Sequence, residues 1–99
     1  MVGEIDPGIR PQPPAVTDNR EAHQFELTVD GQTSVLIYER RPNALALLHT
    51  EVPPALRGRG LATRLAEAAV NTARAEGLQV VAVCPFVRAF LRKQRQSKP

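Results

Sequence analysis

Tryptophan is absent from the 99 residues, and only Phe25, Tyr38, Phe86 and Phe90 are aromatic. A core must therefore be built mainly from Ala, Val and Leu. Phe25 falls in a predicted core strand, so no aromatic platform for stacking nucleic-acid bases is available, which argues against a nucleic-acid partner. The single cysteine, Cys84, excludes a scaffold held by internal disulfides. Two histidines and one cysteine, widely spaced, make a metal site of the zinc type unlooked for, and no metal is expected. Only Ser34 and Ser97 carry a serine hydroxyl, and all three aspartates precede His49, so a serine triad is excluded. No run approaches the ~18 apolar residues of a membrane span. The first residues, MVGEIDPGIRPQPP, lack the apolar stretch of a secretory signal. These absences together predict a protein of the cytoplasm, with no membrane partner.

The length allows one small domain. The formal charge of +3 is unevenly placed. Residues 1–84 carry eight Lys/Arg against all ten Asp/Glu, a balance of −2, whereas residues 85–99 add five basic residues and no acid. The chain is thus a slightly acidic body with a basic end, and an anionic partner is expected. Four of the nine prolines fall at Pro7, Pro11, Pro13 and Pro14. Residues 1–21 are predicted to be a disordered, proline-rich leader, because so few apolar side chains cannot offset ordering entropy. The folded domain is expected over 22–95, followed by a basic tail at 96–99. A core this small is marginal alone and would gain from a bound ligand or a second copy, so a monomer or weak homodimer is expected.

Alternation places Phe25, Leu27 and Val29 on one face of a strand. Asp30-Gly31 then supplies the positive φ of a tight hairpin turn. Thr33–Glu39 reads as the returning strand and Ala44–Val52 as a third, giving an antiparallel three-strand meander. Pro53-Pro54 ends that strand. A helix is predicted after Arg57-Gly58-Arg59-Gly60, running to about Glu76 and closed by Gly77. Leu78–Cys84 is almost continuously apolar, as expected of a strand covered on both faces. Strand, helix, strand over this length is a β-α-β crossover, so the fourth strand should lie parallel to the third. Pro85 suits the start of a short C-terminal helix. The fold class is mixed α/β.

The informative stretch is His49 to Gly60, HTEVPPALRGRG, with Cys84-Pro85-Phe86 beyond it. A strand end, a glycine-containing loop and an immediate helix leave backbone N–H groups pointing outward, and the helix dipole adds partial positive charge. That arrangement suits phosphate. Gly58 and Gly60 permit close approach, Arg57, Arg59 and Arg64 supply charge, and Thr63 offers a hydroxyl. Neither GxxxxGK[ST] nor GxGxxG matches. By itself RGRG reads equally well as a solvated turn.

HTEVPPALRGRGLATRLAEAAVNTARAEG followed by VVAVCPF resembles the GNAT superfamily of acetyl-CoA-dependent N-acetyltransferases, and within it the small single-domain NATD-type branch. The likeness covers about Phe25 to Arg92. It implies a minimal GNAT-like fold, acetyl-CoA or coenzyme A as cofactor and an amine as acceptor. The pyrophosphate would sit on the N–H groups of Arg57, Gly58, Arg59, Gly60, Leu61, Ala62 and Thr63, with the pantetheine arm beside Glu51 and Val52. Pro85 and Phe86 join the implied cofactor-binding set. Two positions depart from the superfamily's habit. Ala55 stands where Gln or Arg is common, and Phe86 and Phe90 occupy the segment where a tyrosine acid is often placed.

The residues themselves offer substitutes for that acid and its base. His49 and Glu51, two apart on a strand, share a face, with Thr50 and Val52 on the other. Cys84 closes the neighbouring strand, so all three lie near the carboxyl ends of adjacent parallel strands. His49 or Glu51 could take the amine proton, and Cys84 could protonate a departing thiolate or carry the acetyl group. Each has a plainer reading beside it: a hydrogen-bonded strand-end histidine, a glutamate paired with Arg57 or Arg59, and an inert buried thiol. The alternative function is a catalytically silent CoA-binding module.

Overall fold

The computed structural model describes residues 15–97. Five strands form one sheet in sequence order: β1 (Thr17–Asn19), β2 (Gln24–Val29), β3 (Gln32–Arg41), β4 (Ala44–Glu51) and β5 (Gln79–Ala82). The first four pair antiparallel, and β4 and β5 pair parallel through the crossover helix α1 (Leu61–Ala75). Helix α2 (Pro85–Ser97) follows β5 and packs beside α1. The meander, the crossover and the parallel fourth strand are as the sequence pattern requires. Asp30 and Gly31 take φ of 53° and 76°, the two positive values that the hairpin turn needs.

Alternation puts Phe25, Leu27, Leu36, Tyr38, Leu45 and Leu47 on one sheet face, each at most 2% exposed. Leu61, Leu65, Ala66, Ala69, Val70 and Ala73 of α1 cover that face. The alanines let helix and sheet approach closely, which is how four aromatics suffice. At the far end of α1, Gly77 takes φ of 71°. There the N–H of Leu78 bonds Ala73 O and that of Gly77 bonds Arg74 O, the paired bonds that let a left-handed glycine stop a helix.

Three expectations change. The leader was to span 1–21, yet β1 lies inside it, paired with β2. Its apolar content gives no hint, because polar side chains hold it. Asn19 donates to Glu26 at 2.9 Å, and Asp18 accepts from the Tyr38 hydroxyl at 2.6 Å. The rest of that expectation, over 1–14, lies outside the described residues, as do Lys98 and Pro99 of the tail. Gln96 and Ser97, expected in the tail, close α2 instead. The fourth strand is not covered on both faces. It is the sheet edge, with Val80 and Val81 partly buried and Val83 44% exposed. The apolar run reflects packing against the helices on one side, and no further strand covers its outer edge among the described residues.

Candidate functional site

The pairing of β4 with β3 is interrupted between Ile37 and Tyr38: Tyr38 faces Leu47, whereas Ile37 faces His49, so Leu48 is an extra residue. This bulge decides the site. In an unbroken strand His49 would share the buried face of Leu47; the added residue turns it to the opposite face and brings Thr50 to the helix side. That opposite face carries Gln24, Glu26, Val35, Ile37 and Glu39, none of them buried. His49 and Glu51 emerge there 56% and 70% exposed, with His49 Nε2 and Glu51 Oε2 3.1 Å apart. The plainer reading that paired Glu51 with an arginine is not what forms. Arg59 instead meets Asp30 at 3.2 Å, and Arg57 Nε donates to the Val52 carbonyl at 3.1 Å.

The bulge also marks where β4 and β5 part. Their pairing ends at Leu47 and Ala82, and the N–H groups of Val83 and Cys84 both turn onto Leu47 O at 3.0 Å. Strand β4 runs on to Glu51 paired with β3 alone. A cleft of about 760 Å³ opens at this strand end, lined by His49, Glu51, Arg57, Ala62 and Phe86 among others. A smaller hollow of about 260 Å³ lies against Gly58, Gly60, Leu61, Ala62 and Thr63.

Helix α1 begins at that hollow. Gly58 and Gly60 take φ of 81° and 79°, which a side chain would strain, and Gly60 is the residue that caps the helix. No side chain caps the first turn, and no acidic residue occupies it. The N–H of Arg64 makes the first helical bond, to Gly60 O, so the preceding N–H groups face the hollow without a helical partner. An ideal Cβ built at either glycine would meet no atom within 4 Å, so the space before the loop is open. Uncapped donors, a positive helix end and two nearby guanidinium groups fit a phosphate-bearing cofactor.

Cys84 lies elsewhere. It is 4% exposed, lies on the Thr50 side of β4 and lines neither cleft. Burial pushes its thiol pKa up, but hydrogen bonds to sulfur outweigh that and hold it below the usual thiol value. The donors are the Thr50 hydroxyl, at 3.5 Å, and the N–H groups of Val87, Phe86 and Thr50. With its carbonyl accepting from Arg88 N at 3.0 Å, Cys84 acts as the cap of α2. Strand β4 therefore stands between this thiol and the exposed His49–Glu51 pair. Pro85 starts α2, and Phe86, 38% exposed, reaches the large cleft. The bulge and the arginine bond to Val52 are the features that sequence reasoning missed. The failure of alternation across Leu45-Ala46-Leu47-Leu48 is the one signal of the bulge in the chain.

Comparison with known sequences decides the family. The family model described as GCN5-related N-acetyl-transferase matches residues 24–98. This chain belongs to the GCN5-related N-acetyltransferase family. It is 36% identical to protein NATD1 of Bos taurus over 84 residues, covering 82% of this chain and 74% of that protein. Protein NATD1 of Mus musculus is 34% identical, with 82% and 76% covered, and that of Homo sapiens 34% identical, with 82% and 74% covered. The matched span takes in every strand from β2 onward and the whole α1 loop. For this N-acetyltransferase-family chain, no helix among the described residues is long and apolar enough to cross a membrane. No group of three His, Cys, Asp or Glu among them is placed to hold a metal ion.

Proposed function

We propose that the protein is an acetyl-CoA-dependent N-acetyltransferase acting on an amine, in the cytoplasm. The observation that carries this reading is the uncapped start of α1 opening directly beside the parted end of β4. Pyrophosphate would be held by the N–H groups of Gly58 to Thr63 and by the guanidinium groups of Arg57 and Arg59; the N–H of Arg57, expected in that set, is taken by Pro54 O. The arm would run along β4 near Val52. When bound, the thioester supplies the acetyl group. At the solvent side, Glu51 orients His49, and the imidazole takes a proton from the incoming ammonium group. Cys84 would return a proton to the departing thiolate, or carry the acetyl group itself, only from its buried position across β4, outside both clefts. The groove between Thr63 and Glu67 of α1 and Phe86, Phe90 and Arg92 of α2 would receive the nucleoside end. Substrate requirements beyond an accessible amine are not built into so open a cleft, and the protein would act as a monomer or weak dimer.

A second reading, a CoA-binding module without turnover, is favoured by one observation: the thiol and the imidazole lie on opposite sides of β4. Thiol release from acetyl-CoA, followed with a panel of small and peptide amines, separates the two. The enzyme reading expects amine-dependent release that His49→Ala reduces about 100-fold, the scale of a general base. CoA binding without any amine-dependent release would leave the module. Intact mass after acetyl-CoA alone tests the covalent route; no added acetyl group and an active Cys84→Ala would remove it.

A further inference from the structure

Val52 and Arg57 border both the large cleft around β4 and the small hollow before α1. The hydrogen bond from Arg57 Nε to Val52 O, 3.1 Å long, therefore lies on the boundary between them. The backbone fixes this contact. After Pro53-Pro54 the chain makes one tight turn, with the N–H of Leu56 on Pro53 O at 2.8 Å and that of Arg57 on Pro54 O at 3.3 Å. The turn returns Arg57 to the strand end that it has just left. The other loop arginine that contacts a carboxylate is Arg59, committed to Asp30. The Arg57 guanidinium has no carboxylate among the described residues, and its one hydrogen bond there is to a neutral carbonyl. A guanidinium in that position gains by moving to an anion, since a bidentate bond between opposite charges is stronger than a single bond to a neutral carbonyl.

We propose that Arg57 is a bar between the two halves of the site, withdrawn by the anionic end of the ligand. An anion seated on the α1 loop draws the guanidinium off Val52. Two things follow at once: the passage opens, and the Val52 carbonyl is left free to accept an amide N–H from the arm. The bar thus makes phosphate binding and arm binding mutually strengthening, with Arg57 as the positioning residue. This inference rests on the cofactor reading above.

The test uses the full chain, labelled for NMR, with inorganic pyrophosphate and pantetheine as separate probes. Pyrophosphate alone should shift the amides of residues 58–63 and, with them, Arg57 Nε–H and the Val52 carbonyl. It should also strengthen pantetheine binding about fivefold or more, the low end of ordinary coupling between sites. In Arg57→Met, which keeps an apolar stem at an exposed position, the Val52 carbonyl should not respond to pyrophosphate, and pantetheine should bind independently of it. Shifts at residues 58–63 with an unmoved Val52 carbonyl, or no strengthening of pantetheine binding, overturn the bar while leaving the phosphate loop standing. Unmoved amides at 58–63 together with no binding of CoA itself overturn both.

Discussion

Glu51 takes no arginine although Arg57 borders the same cleft, and that leaves it to His49. An exposed carboxylate–imidazole pair contributes little to stability, on the order of 0.5 kcal/mol. Removing it should therefore leave the melt nearly unchanged while altering catalysis. Glu51→Gln is expected to lower turnover less than His49→Ala, because it removes the orienting partner and keeps the base; acetylation rates of the two variants check this order. Cys84 has the reverse profile. Its sulfur accepts three backbone N–H groups and a hydroxyl, so Cys84→Ala leaves α2 uncapped. The expected cost is about 1 kcal/mol, the usual worth of a helix cap, read by denaturant unfolding whether or not the thiol takes part in chemistry.

At the scale of elements, helix α1 has two ends with different duties. Its start is left uncapped, and its end is tied to the sheet. Glu76, just past α1, accepts from Arg20 and Arg40, while Asp18 of β1 lies 3.5 Å from both guanidinium groups. The hydrogen bond from Arg40 holds Glu76 below its ordinary carboxyl pKa of 4.5. Above that pH the stabilisation is fully present, and it is lost as pH falls through the lower folded value. Glu76→Gln should thus lose stability at neutral pH and progressively less as the pH is lowered below 4.5, seen in urea titrations across that range. Between the ends, Leu65 is fully buried against the sheet. Leu65→Ala should cost about 2–5 kcal/mol by the same unfolding measurement.

The elements differ in how far they were legible. Alternation in β2 and β3, the Asp30-Gly31 turn and the small-residue face of α1 each state their own conformation, because local pattern and tertiary packing agree there. Strand β1 was hidden because Asp18 and Asn19 are held by partners distant in sequence. The bulge at Leu48 was hidden because an apolar run is compatible with either face, and only the register with β3 decides. The glycine loop and the helix start behind it could be read from RGRG; the bond from Arg57 to Val52 could not, since it depends on the path of the turn.

At the scale of the molecule, both helices lie on one side, and the sheet face bearing His49 and Glu51 has no helix over it among the described residues. In the sequence the basic excess falls in residues 85–99, whereas Glu26, Glu39 and Glu51 stand on that open face. A small core of this kind should be measurably stabilised by whatever fills its cleft. The most direct test is the thermal melt of the full chain with and without about 1 mM CoA, a concentration near 100-fold over a ~10 μM site. Occupancy at that level is worth about 2.7 kcal/mol, and at ~4–8 °C per kcal/mol for a domain this size it raises the melt by roughly 10 °C or more. Gly58→Glu, with its carboxylate set in the space before the loop, should melt with no CoA-dependent rise. An unchanged wild-type melt, or an equal rise in Gly58→Glu, would contradict the assignment of this loop as the cofactor site.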